Sequence, residues 1–502
     1  MQPLPNRPKI TTGPSRHVYD VIVLGGQLAG ALSAALLAKR GYRVLLVEHD
    51  GLGTGYEHGE FILPYAPFLM PPLRSMPGVE DAFTELGLTT TVQRALKPHL
   101  PALQLILAKH RVDLSTDDGK RLAEMRREFG EHGTEIEEAY RKIVSAHDAT
   151  ATFFRKPENL PPDGMMESWS LKREIKRHPG LEAPTLTSNP DPALQLVLGL
   201  TPFITYQAEV KPLSVGRTLS QILTSPNKYP GGREGLREVL CKKLLDLGGD
   251  YLGPESAQNA VVESLSFDGN KLVGLKVMES ETVYRGNFII AATDSGALRR
   301  LILDKKKHRD LSEALELVTT KRFLYSLNWV LPTELLPRGM GELLLIDTES
   351  DLGPLLVQVS PARRVNGKVE DDTVRVVCAA ASVPAGARDL GESHLQKLAE
   401  RIAAHLERLM PFTKGRLLAS SAPYLDAGGV RGSRLLPHPL YSVEAEQHLG
   451  ITGAPAVTPV KNLLLANREV LPGLGLEGEL LSSLVVTERV QDMMKKRDPL
   501  KR

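Results

Sequence analysis

Three glycines, Gly25, Gly26 and Gly30, follow one short apolar run, and an acidic residue, Glu48, closes the next. Glycines at the end of a strand let the chain turn sharply and leave the backbone bare. If a helix follows, its first amides have no partner within the helix and attract an anion such as a pyrophosphate. A carboxylate at the tip of the second strand can then accept hydrogen bonds from ribose hydroxyls. Gln27, Ala29 and His49 complete the group of residues placed to touch such a nucleotide. The usual spacing is G-x-G-x-x-G, and Gln27 stands at the middle glycine. Its side chain could point aside, or its amide could bond a phosphate.

The elements that must position these residues lie within residues 19–50. Residues 21–24 are an apolar strand, a helix-compatible segment runs to Arg40, and residues 44–47 are a second apolar strand. Strand, glycine turn, helix and strand with an acid at its tip is how a chain builds a dinucleotide site.

A chain of 502 residues can bury a large core and divide into two or more domains. Its formal net charge of +2 gives no reason to expect nucleic acid as a partner. Cys241 and Cys378 are the two cysteines, without a second Cys or His at ligand spacing, so neither a disulfide framework nor a metal site is expected. Both suit a reducing, cytoplasmic compartment. Residues 1–18, rich in Pro, Arg and Thr, read as a flexible leader. No stretch approaches the ~20 consecutive apolar residues of a spanning helix. The expectation is a soluble protein whose membrane contact, if any, is peripheral.

Residues 51–73 are glycine-rich and then proline-rich, and read as a loop followed by an extended segment. Residues 79–151 are mostly helical, with a strand-like interlude over 103–114. Residues 157–192 are the loosest part, with a short basic helix over 171–178. The run 194–206 crowds Leu, Val, Phe and Tyr, as either a core helix or the lining of an apolar pocket. Residues 231–252 are a glycine turn and an amphipathic helix, and a DGN turn joins the alternating runs 260–267 and 271–278 as a hairpin. A strand over 288–293 and a helix over 311–318 follow. Four runs, at 323–330, 341–347, 355–360 and 373–381, suit an antiparallel sheet. A helix over 394–409, a loop-rich stretch over 425–450, a strand over 462–467, a glycine loop and a last helix from about Leu480 complete the chain.

In this order the pieces resemble the phytoene desaturase and amine oxidase group of flavoproteins. Three motifs carry the resemblance: residues 25–48, the block GGREGLREVLCKKLLDLGGDY at 231–251 with Val262 beyond it, and LPGLGLEGELLSS at 471–483. The resemblance implies an α/β chain, with a glutathione-reductase-type FAD-binding Rossmann domain and a second, antiparallel-sheet-plus-helices substrate domain. The implied division is 19–75, 230–300 and 455–502 for FAD, against 76–229 and 301–454 for substrate. It further implies that the backbone at Val262 meets the adenine. Gly473, Gly475, Leu476 and Glu477 would lie at the flavin's pyrimidine end, their amides stabilising negative charge on the reduced ring.

Three departures fall where the cofactor should touch. Gln27 is one, and the lack of any arginine over residues 50–72 is another. The third is Asn467-Arg468-Glu469 where relatives carry Gly-x-Gly, with Arg468 placed to restore a positive charge. No nucleophile triad or triphosphate loop is present, and flavin chemistry resides largely in the cofactor, so no catalytic side chain is assigned. His110, Asp113 and His438 read as structural hydrogen-bonders, and Glu477 and Glu479 as acids favoured at a helix start. The resemblance implies an FAD-dependent oxidoreductase for an apolar isoprenoid or polyene substrate, by desaturation, saturation or isomerisation. The alternative on the same fold is a non-catalytic binding protein similar to Rab GDP-dissociation inhibitors. Amine oxidation is the weaker reading, because 5% aromatic residues leave little for a cage around a cation.

Overall fold

The structure is a computed structural model that describes residues 17–49, 55–155, 160–178, 181, 191–253, 261–278, 283–365, 371–426 and 438–495. Residues 50–54 and residues 1–16 of the expected leader lie outside that set.

Strand Val18–Leu24 lies at the centre of the first sheet. It pairs in parallel with Val44–Val47 on one side and Val283–Ala291 on the other. Asp250–Leu252 extends the sheet beyond Val44–Val47. On the far side, Val283–Ala291 serves two neighbours in succession. Its first residues pair with the hairpin strand Lys271–Val277, and its last three pair in parallel with Leu463–Leu465. Strands from the beginning, middle and end of the chain therefore share one sheet. The central strands are apolar on both faces because helices cover them. Helix Leu28–Lys39 is buried along nearly its whole length, with Gly232–Asp246 and Gly475–Lys495 packed beside it.

The second sheet has ten strands, seven of them in the order Ala419–Ser421, Val318–Pro332, Asp371–Pro384, Leu355–Arg364, Leu343–Ile346, Leu103–Ile106 and Arg111–Leu114. Alternate residues of its longest strand serve opposite cores. Phe323, Tyr325, Leu327, Trp329 and Leu331 face the core shared with helix Glu392–Leu409, whereas Leu324 faces the core beneath helices His132–Ala151 and Pro212–Thr224. The expected antiparallel pattern holds except between Leu343–Ile346 and Leu103–Ile106, which run parallel.

Five local expectations change. The helix near 311–318 is only Arg309–Ala314, and Val318 already starts the long strand, where Val-Thr-Thr favours extended backbone. The last helix begins at Gly475, five residues early, after a tight turn over Pro472–Leu474. The basic helix is longer than expected, Gly164–Arg177. The loop after Glu48 gives way to a short hairpin, Gly55–His58 with Phe61–Pro64, whose second strand joins Leu355–Arg364. Within the loop-rich 425–450, Pro439–Val443 is a strand against Val318–Pro332.

Candidate cofactor and ligand site

The glycine turn forms for packing reasons that need no ligand. Gly25 has φ +112°, and a Cβ there would lie 2.7 Å from the Ala292 carbonyl carbon. A Cβ on Gly30 would come within 2.1 Å of the Gly25 carbonyl oxygen, so only glycine lets the helix approach its own strand. Gly26 is covered by Glu48, whose Cγ lies 2.7 Å from where a Cβ would be. Gln27 is the N-cap of helix Leu28–Lys39, makes no capping bond, and leaves a first turn without acidic residues. Ala29 is fully buried, and its carbonyl accepts the Ser483 hydroxyl at 2.8 Å.

Glu48 is buried and its carboxylate is engaged from within the chain. Arg237 donates to Oε2 at 2.9 Å and the Tyr251 hydroxyl donates to the same oxygen. Arg237 also holds Glu234, one turn away on the helix Gly232–Asp246. The Val262 amide, expected to meet an adenine, donates instead to His49 Nδ1 at 2.9 Å.

A cleft opens between the two sheets. Its lining includes Gln27, Arg233 and Arg468 at one side, and Leu474, Leu476 and Glu477 from the last helix and its entry turn. Ile62, Leu63, Pro64, Tyr65, Phe68, Leu69, Phe203, Ile204 and Ile222 make a largely apolar wall. The run 194–206 thus divides. Leu194, Leu196, Val197 and Leu200 are core, and Phe203, Ile204 and Tyr206 reach the cleft. Of the sequence-derived residues, Gln27, Leu476 and Glu477 line it, and Gly25, Gly26, Ala29, Gly30, Glu48, His49, Val262, Gly473 and Gly475 do not. Gly473 and Gly475 serve packing, since a Cβ would lie 2.7 Å from Ile451 Cα and 1.9 Å from the Ile204 oxygen respectively.

Two buried ionic groups frame the cleft. Arg217 and Glu477, both with fully buried side chains, form a two-pronged pair at 2.9 and 2.6 Å. Gln221 adds a bond to the Glu477 carboxylate at 2.8 Å. Glu477 is therefore a structural anion and not a solvated helix-start acid. Nearby, Glu479 binds Arg233, accepts the Tyr206 hydroxyl at 3.1 Å and lies 3.6 Å from Arg468 Nε. Burial opposes charge on Glu479, but Arg233 and Arg468 outweigh it and hold its pKa below the usual carboxylate range. Arg468 sits over the Tyr206 ring and donates to Gln27 Oε1 at 3.1 Å. Arg233 Nε is buried and has no hydrogen-bond partner.

His438 joins this group against Tyr206, with Nε2 donating to the Thr205 carbonyl at 2.9 Å. Burial, then the Arg468 charge, pulls its pKa down to about 3, so it is a neutral imidazole. His110 pairs with Glu128 and Asp113 accepts from Gln104, both as structural bonds outside the cleft. Among the described residues no group of His, Cys, Asp and Glu could hold a metal, and no helix is long and apolar enough to cross a membrane. Sequence reading missed Arg233 and Arg237. Their four-residue spacing in GGREGLREV, on one helix face, was the available signal. Tyr251 gave none.

A family model for an NAD(P)-binding Rossmann-like domain matches residues 23–86. No curated protein is similar in sequence. Several solved structures are similar across nearly the whole chain. Cyclohexylamine oxidase from Brevibacterium oxydans IH-35A is 14% identical, with 95% of this chain and 99% of that one covered and a TM-score of 0.55. Putrescine oxidase, solved bound to putrescine, gives 14%, 95%, 99% and 0.55. The Rab GDI of Plasmodium falciparum gives 11%, 95%, 98% and 0.54. Such likeness defines the fold: a mixed α/β chain with a Rossmann-type nucleotide domain, as in flavin oxidoreductases of the amine oxidase kind.

The flavin-facing half of the site suits such a cofactor. Arg468 and Arg233 place two guanidinium groups in the cleft lining, Arg468 bonded to Gln27 and both against Glu479, a donor and charge set suited to phosphate. The first-turn amides of helix Gly475–Lys495 have no partner within the helix. The adenosine half does not fit in the same way, because Glu48 and the Val262 amide already have partners within the chain.

Proposed function

We propose that this protein is a flavin-dependent oxidoreductase acting on an apolar substrate of the isoprenoid or polyene kind. The observation that supports it best is the apolar wall from Ile62 to Leu69, with Phe203 and Ile222, leading to the start of helix Gly475–Lys495. Arg468 and Arg233 bind the phosphate of the cofactor, and Gln27 orients Arg468. The amides at the start of the last helix stabilise negative charge at the pyrimidine end. When bound, a flavin supplies a hydride acceptor or donor. The wall excludes water and aligns an apolar chain beside it. His438, neutral and a weak proton acceptor, is held by the Thr205 carbonyl against Tyr206, and both rings line the cleft.

The test is the visible absorption spectrum of the purified protein, before and after incubation with flavins. Flavin bands are the expected result. A colourless protein that takes up no added flavin would reject the reading. It would favour the second one, a non-catalytic binding protein whose cleft holds an apolar ligand. The observation on that side is that Gln27 and Arg468 bond each other across the turn where a pyrophosphate would approach.

A further inference from the structure

We infer that the site takes its flavin as the mononucleotide, with a terminal phosphate, and not as FAD. The inference rests on the flavin reading above and concerns which half of a dinucleotide site is open. Adenosine would need the Glu48 carboxylate for its ribose and the Val262 amide for its base. Glu48 instead folds over Gly26 and is bound by Arg237 and Tyr251. The Val262 amide is bound by His49. Tyr251 also covers Gly253, where an added Cβ would meet the ring at 2.3 Å. Glu48, His49 and Val262 are each at least nine-tenths buried and none lines the cleft.

The open half ends where a mononucleotide would end. Gln27, Arg233 and Arg468 all line the cleft, beside a helix of 12 residues whose first turn carries neither a capping side chain nor an acid. A terminal phosphate carries up to two charges and suits two guanidinium groups better than the internal diphosphate of FAD, whose charge is spread along the linkage. Admitting adenosine at Glu48 would compete with the Tyr251 hydroxyl and with Arg237, which would keep Glu234 as an acceptor. At Val262 it would take from His49 Nδ1 the N–H that it accepts.

The experiment is to identify the flavin released on denaturing the purified full chain, and to titrate the stripped protein with FMN, FAD and riboflavin by fluorescence quenching. Displacing two sets of buried hydrogen bonds predicts FMN binding about a hundredfold tighter than FAD. An FMN preference of about tenfold or more supports the inference, and a smaller one, or a preference for FAD, overturns it and leaves the flavin reading intact. Failure of all three flavins to bind overturns both. Riboflavin binding as tightly as FMN overturns the phosphate assignment to Arg233 and Arg468. In the double variant Tyr251→Phe, His49→Ala the preference for FMN should narrow. An unchanged preference would overturn the role given to those two side chains.

Discussion

Gln27 accepts a hydrogen bond from the Arg468 guanidinium at 3.1 Å, between residues 441 positions apart in the chain. Gln27 stands at a glycine of the flavoprotein pattern in the first turn, Arg468 lies between the two residues that replace the Gly-x-Gly glycines after the last strand, and the two side chains meet. The two changes are one feature. The side chain lost from neither side would be tolerated alone, because Arg468 is buried beside Tyr206 and needs its remaining donors satisfied. Gln27→Gly, which restores the common spacing, should therefore destabilise the chain by about 1–2 kcal/mol through the lost bond to a charged group. Urea unfolding of the variant measures this, and an unchanged midpoint would show that the bond contributes nothing.

Arg217 and Glu477 make the strongest isolated test of buried charge. Arg217 also donates to Thr150 Oγ1 at 3.1 Å and to the Ser75 carbonyl at 3.0 Å, so it ties three segments to the last helix. Arg217→Met strands the Glu477 carboxylate and should cost about 3–5 kcal/mol, while joint replacement with Glu477→Leu should recover much of that. Denaturant midpoints of the two variants compare the effects. Equal losses would mean that the packing of Arg217, and not the uncompensated charge, matters.

Glu469 gives the chain a pH dependence of definite sign. Burial, then the nearby Asp294 charge, pushes its pKa up to about 8, against the lowering effect of the Ser295 bonds. A carboxyl whose folded pKa lies above its unfolded value of about 4.3 binds its proton more tightly when folded. Its stabilising contribution is full below about pH 4 and is lost as pH rises towards 8. Glu469→Gln should flatten that decline in thermal unfolding followed from pH 5 to pH 8.5. Parallel curves for the two proteins would assign the decline to other groups.

Gly30→Ala tests the turn without any ligand. The added methyl would sit 2.1 Å from the Gly25 carbonyl oxygen and 2.8 Å from Ala292 Cβ. Helix Leu28–Lys39 would have to lift from its strand, at about 1–3 kcal/mol or more. A melting temperature equal to that of the parent would contradict this account of the glycine.

The nucleotide-type sheet was legible because its signals are local. Apolar runs, glycines and the acid at 48 lie within thirty or so residues, and the hairpin is marked by its own DGN turn. The second sheet was legible as a series of strands, but its one parallel pairing was not, since register is decided by partners far away in sequence. The site was harder still. Glu48 stood where expected, yet its partners Arg237 and Tyr251 lie 189 and 203 residues on, and nothing at residue 48 announces them. The start of the last helix was misplaced by the glycines at 473, 475 and 478. There tertiary packing outweighs poor helix propensity, for the whole segment is buried.

The packing around Leu28–Lys39 also sets a schedule for biosynthesis. This helix is apolar on nearly all sides and is covered by two helices made much later, Gly232–Asp246 and Gly475–Lys495. At ribosomal speeds of ~5–20 residues per second, on the order of 20–90 s separate the emergence of the first helix from that of the last. Through that interval a greasy cylinder waits without its cover. The cover of the first helix is thus completed only when the last helix has emerged.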